Sequence, residues 1–183
     1  TEQSARPVAK LVPEALPLGE HLELEGTWAS DKTVLQDNQT RRGLPGVHVW
    51  SLFRLSQGGA LMVDRGWMSA PLDRQQRPNI LPPLVQSPTG LLRSLPQAAL
   101  AAPEQCPSGE LPRLNYPSAA DLSCVAGEPV LPALLLLDED RRGRYSREWR
   151  SFEMPPERHY GYAVQWAALA LTILILFLVL NRR

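Results

Sequence analysis

The chain is poor in the side chains that carry most enzyme chemistry. Among 183 residues there are three histidines, His21, His48 and His159, and two cysteines, Cys106 and Cys124. The histidines are scattered and no HExxH occurs, so a zinc site made by the protein alone would have to join distant parts of the chain. No GxSxG, P-loop or GxGxxG signature is present, and no nucleophile–base set can be named. The sequence therefore offers no catalytic residue and points away from an enzyme. Lysine is nearly missing: Lys10 and Lys32 stand against seventeen arginines. The net charge is zero, which removes any global attraction to nucleic acid. A planar guanidinium suits carboxylates, phosphates and lipid headgroups, and a general preference for arginine codons explains the bias equally well.

Proline, by contrast, is in excess. Ten of the 18 prolines lie between Pro71 and Pro117, which predicts irregular, turn or extended chain there. Cys106 and Cys124 fit neither a metal spacing nor a CxxC pair. A disulfide in an oxidising compartment and two unpaired thiols both remain open. The run Asp138, Glu139, Asp140 reads as a solvated strand end or turn.

From Gly161 to Leu180 the chain carries no charge. At 1.5 Å per residue such a helix spans about 30 Å, the hydrocarbon thickness of a bilayer. A core helix rarely runs so long without a polar face, and a removable lipid-anchor signal would not normally end in two arginines such as Arg182 and Arg183. The segment reads as a transmembrane helix starting just after Pro155 and Pro156, with Tyr160, Tyr162 and Trp166 as an interfacial belt. Arg182 and Arg183 favour an inward C-terminus. Arg141, Arg142, Arg144, Arg147, Arg150 and Arg158 crowd the other flank, so charge alone leaves the orientation open.

With the tail set aside about 155 residues remain, enough to bury a core unaided. "HLELEGTW" alternates Leu22 and Leu24 with Glu23 and Glu25, as a strand does, and "KTVLQDNQT" is expected as a second short strand. "VHVWSLFRL" and "ALMVDRGWM" flank the "SQGG" turn as a hairpin. Gly66 within the second run predicts a bulge or a close backbone approach, and "DRGW" reads as a structural Arg65 paired with an acid at a hairpin end. "PTGLLRSL" and "VLPALLLLDED" are further strands, "GRYSREWRSFEM" a last strand in part, and Pro96 to Pro117 a loop. "SAADLSCVAG" predicts a short helix with Ser118 as N-cap and Gly127 as C-cap. The expected fold is a β-rich α+β domain, an antiparallel sheet or partial barrel with a short helix, over 18–154. A segment or linker, 1–17, precedes it; a transmembrane helix, 157–181, and the tail 182–183 follow.

On a helix His159, Tyr162, Ala163, Trp166 and Ala170 share one face. An imidazole beside two aromatic rings and small residues could hold a flat apolar ligand, ligate haem iron or meet a partner helix. Such residues also serve as plain interfacial anchors.

"HYGYAVQW" resembles the HxxYxxxW signature at the second membrane helix of the Surf1 family. "LELEGTW", "GLPGVHVWSLF", "ALMVDRGWM", "GLLRS", "RLNYPSAADLSCVAGEP" with "VLPALLLL", and "REWRSFEMPPERH" agree in order, over roughly residues 18–183. The resemblance implies a non-enzymatic assembly factor for haem-copper cytochrome c oxidase that binds haem a and aids its insertion into subunit I, with haem a synthase as a neighbour. A protein-only scaffold is the alternative. The family plan implies a domain outside the cytoplasm between two membrane helices, so a further helix is expected upstream of Thr1 and Arg182 and Arg183 face inward. The location implied is the bacterial inner membrane with a periplasmic domain, or the mitochondrial inner membrane facing the intermembrane space. His159 is the implied haem ligand, Tyr162 and Trp166 occupy the other signature positions, and Arg158 is a candidate for a haem propionate. Gly46, Arg65, Gly66 and Trp67 match soluble-domain positions expected to be structural. Asp64 departs from the pattern, standing where Asn often precedes the Arg-Gly pair.

Overall fold

The computed structural model describes residues 5–70, 78–97, 106–107, 109–138, 145–147 and 156–182, with the backbone alone at 156–159. It contains two units, Thr1–Glu148 and Trp149–Arg183.

In the first unit the alternating and apolar runs form β1 (Arg6–Val8), β2 (His21–Leu24), β3 (Gly26–Arg41), β4 (Leu44–Leu55), β5 (Ala60–Ser69), β6 (Thr89–Ser94), β7 (Arg113–Leu114) and β8 (Val130–Leu137), with a helix α1 (Ala119–Ala126). They make one sheet in the order β1-β2-β6-β8-β5-β4-β3-β7. The β-rich α+β class holds, but the sheet is mixed: β1–β2, β3–β7 and β5–β8 pair in parallel. The β4–β5 hairpin turns at Gly58 and Gly59, both at positive φ, as the "SQGG" signal requires. In β8 the run Leu134–Leu137 is buried throughout, because neighbours pair on both sides and both faces are covered. The register of β8 against β5 slips beside Pro132, which has no N–H to give the ladder. The Ser118 side chain and Asp121 form a reciprocal capping box on α1, and Gly127 ends it at φ 75°.

Three expectations are corrected. Arg6–Val8 lies in the stretch expected as a linker, yet it pairs with β2 and buries Val8. "KTVLQDNQT" is not a separate strand. It continues β3, whose register shifts after Ala29 and after Gln36 let one strand pass through polar Ser30, Asp31 and Lys32 without breaking. The loop expected from Pro96 to Pro117 contains β7, a short edge strand on Leu35 and Gln36.

One face of the sheet buries a cluster around Leu22, Leu24, Phe53, Leu61, Leu92 and Leu135. A second cluster gathers Leu35, Val47, Val49 and Tyr145. Ser51 stands between them on β4, two residues from Val49 and two from Phe53, with Thr33 opposite. The sheet curls at its first edge: the N–H groups of Glu25 and Gln57 donate to the carbonyls of Val8 and Ala9 at 2.9 and 3.0 Å.

The second unit holds α2 (Pro156–Leu180). It begins at Pro156 itself, since the first helical position needs no N–H from its residue. Tyr160–Leu180 is apolar and long enough to cross a membrane. The Thr172 hydroxyl donates to the Ala168 carbonyl at 2.8 Å, so it is satisfied without water. The Asn181 amide groups, backbone and side-chain, both donate to the Phe177 carbonyl and close the last turn.

Candidate functional site

The backbone of α2 is helical from Pro156 onward, so positions 159, 162 and 166 lie along one face. Tyr162 and Trp166 are exposed, at 54 and 70 %. The side chains of Arg158 and His159 lie outside the described residues, as do Arg141, Arg142, Arg144 and Arg150. The stripe thus offers two uncovered rings beside a position of imidazole type, which fits a porphyrin face by residue chemistry.

In the sheet, the four residues expected to be structural meet at a bulge. His48 opposes Trp67 and Trp50 opposes Asp64, so β5 carries one residue more than β4 across this step. Gly66 takes up the kink at φ 115°. A Cβ there would lie 2.9 Å from the Ser146 carbonyl oxygen and 3.0 Å from Tyr145 Cβ, so only glycine admits the 145–147 segment. That segment bridges back through Trp67 and Ser146, whose N–H and C=O groups exchange bonds of 2.8 Å. It is the described part of the last strand expected from "GRYSREWRSFEM"; the rest lies outside the described residues.

Asp64 spans the bulge. Its Oδ1 accepts the Gly66 N–H at 2.8 Å and its Oδ2 meets His48 Nδ1 at 2.8 Å. The acid beside Arg65 is therefore engaged by a histidine and a backbone amide, not by the arginine. This corrects the expected Arg–acid pair. Arg65, the next residue along the pleat, points to the opposite face. There its guanidinium donates to the Ser51 hydroxyl at 3.3 Å and to the Leu81 carbonyl, and sits 5.2 Å from the centre of the Tyr145 ring. Ser51 also bonds Thr33 Oγ1, at 3.0 Å. Arg147 donates to the carbonyls of Arg65 and Asp138 at 3.0 and 2.8 Å. Burial holds the Arg65 guanidinium below its usual pKa; Tyr145 acts against this and Arg147 adds to it.

Gly46 lies under the Trp67 indole, whose Nε1 donates to the Gln39 carbonyl at 3.4 Å, and Arg41 stands 5.9 Å above the same ring. Sequence reading missed Tyr145, Ser51 and Leu81, which reach Arg65 from three separate stretches and carry no motif.

Trp28, Arg65, Leu84, Val85, Tyr145 and Arg147 border a hollow of about 10 Å³, room for about one water. It does not admit a porphyrin. The two described histidines face carboxylates, His48 on Asp64 and His21 Nε2 on Asp138 at 2.8 Å. Among the described residues no group of three His, Cys, Asp or Glu could hold a metal. If this chain holds haem, the residue types that fit it are on α2. Cys106 and Cys124 are joined in a disulfide, Cα atoms 5.5 Å apart, which settles the question the spacing left open.

The model of the SURF1 family matches residues 1–171. No curated protein matches the chain closely enough to count as a relative.

Proposed function

The chain belongs to the SURF1 family, an assembly-factor family linked to cytochrome oxidase, and from that premise we propose that it holds haem a at the outer mouth of the membrane and aids its insertion into oxidase subunit I. The observation that carries this reading is the helix that joins positions 159, 162 and 166 on one face at the head of the apolar span Tyr160–Leu180. An imidazole at 159 supplies an axial bond to iron. The rings of Tyr162 and Trp166 pack the porphyrin, and Arg158 has the charge and fork to meet a propionate. The sheet domain then faces the periplasm or intermembrane space, with Arg182 and Arg183 inward, and haem a synthase is the neighbour that supplies the ligand. Haem, when bound, contributes only its own iron and its apolar face; the chain orients and shelters it.

The test is purification of the full chain with haem a, as wild type and as His159→Ala. Loss of the bound-haem absorption spectrum in the variant is the expected result, and an unchanged spectrum and affinity remove His159 from the role. One observation favours a second reading, a scaffold that binds only protein: Tyr162 and Trp166 are exposed at 54 and 70 %, as rings that dock on a partner helix would be. On that reading His159→Ala leaves haem content alone and weakens co-purification with subunit I.

A further inference from the structure

Among the described residues one buried charge stands without a countercharge. Arg65 is 5 % exposed, and among the described residues no carboxylate lies within ion-pair distance of it. Its partners are neutral: the Ser51 hydroxyl, the Leu81 carbonyl and the face of the Tyr145 ring. A buried cation lacking an anion is costly, so an anion that reaches it is favoured. Burial, opposed by Tyr145 and reinforced by Arg147, depresses its proton affinity in agreement.

Two features restrict which anion fits. The guanidinium borders the hollow of about 10 Å³, which takes one oxygen-sized group. Beside it stands Tyr145, 7 % exposed, whose hydroxyl oxygen accepts the Leu81 N–H at 3.1 Å while its own proton has no acceptor among the described residues. The hollow thus presents a cation and a free O–H donor. Its lining also includes the apolar side chains of Trp28, Leu84 and Val85 beside the guanidinium of Arg147, with Leu84 56 % exposed. A hydrated phosphate or sulfate matches neither the size nor these apolar side chains.

We propose that this hollow binds a carboxylate carried on an apolar body: one oxygen accepts from Arg65 and Tyr145, and the apolar part lies on Trp28, Leu84 and Val85. The site stands apart from the haem reading of α2 and survives its failure.

Nuclear magnetic resonance on the full chain in lipid nanodiscs tests it, through the Leu81 amide and the Arg65 Nε–H. Butyrate shifts both saturably, with half-saturation on the order of tenfold below that of acetate because more apolar surface is buried. Inorganic phosphate and 1-butanol shift neither. An equal response to butanol, an equal response to phosphate, or no response to butyrate overturns the site. Leu84 is exposed, so its variants avoid the folding problem of changing Arg65. Leu84→Glu supplies a tethered carboxylate and abolishes the butyrate shift, while Leu84→Gln keeps it; identical behaviour of the two overturns the site as well. Palmitate in the nanodisc and octanoate in solution carry this chemistry from two sources. The one that removes the butyrate shift at lower concentration identifies the occupant, and failure of both overturns the apolar-body assignment.

Discussion

The indole of Trp67 lies so close over Gly46 that a Cβ on Gly46 would fall on ring atoms Cε2 and Nε1 and on the Met68 carbonyl oxygen. The ring belongs to β5 and the glycine to β4, near their Gly46–Ser69 pairing. Arg41 of β3 covers the same ring. Three strands are thus locked together at a point where one strand contributes no side chain.

Gly46→Ala therefore forces the ring and the β4–β5 ladder apart. The expected cost is about 1–3 kcal/mol, the range for overpacking. Thermal unfolding of the full chain in detergent measures it, and a melting temperature equal to wild type contradicts the packing described.

Asp64 is 2 % exposed and holds both the Gly66 N–H and His48. Asp64→Ala leaves that N–H buried without its acceptor, at about 1–3 kcal/mol. Asp64→Asn keeps an acceptor oxygen and loses less. Amide hydrogen exchange at Gly66 separates the two: fast in the alanine variant, still protected in the asparagine variant.

Arg65→Lys keeps a charge but gives up the planar fork. One ammonium does not reach Ser51, Leu81 and the Tyr145 ring together, so stability falls by about 1–3 kcal/mol. Denaturant titration reads the loss, and equal midpoints for the two proteins contradict it.

The disulfide closes a loop with a sequence separation of 18, between the proline-rich segment and α1. Loops near this length are worth about 3 kcal/mol in the chain-entropy account. Cys124→Ser, or reduction, lowers the melting temperature in parallel. A reductant that changes wild type while leaving Cys124→Ser unaffected assigns the effect to this bond, and no change in either contradicts it.

Elements set by local rules were legible in the residues. The α1 caps follow from Ser118 and Gly127, and the β4–β5 turn from Gly58 and Gly59. β1 was not legible, because Arg6–Val8 is too short to show a period; its strand identity comes from β2 alongside. β7 was hidden for the same reason, among prolines that argue against strands. At the bulge, Gly66 announced a close approach, but nothing nearby in sequence identified Tyr145 and Ser146 as the chain that approaches.

By itself the sequence determined that a charge-free stretch long enough for a bilayer lies at Gly161–Leu180, and that an imidazole and two rings share its leading face, because helix period and hydrophobic length are properties of consecutive residues. Only the tertiary structure decided that Asp64 serves His48 and leaves Arg65 to Ser51, Leu81 and Tyr145. The reason is the pleat of β5. It sends neighbouring side chains to opposite faces, where each meets groups that the chain brings back from far away.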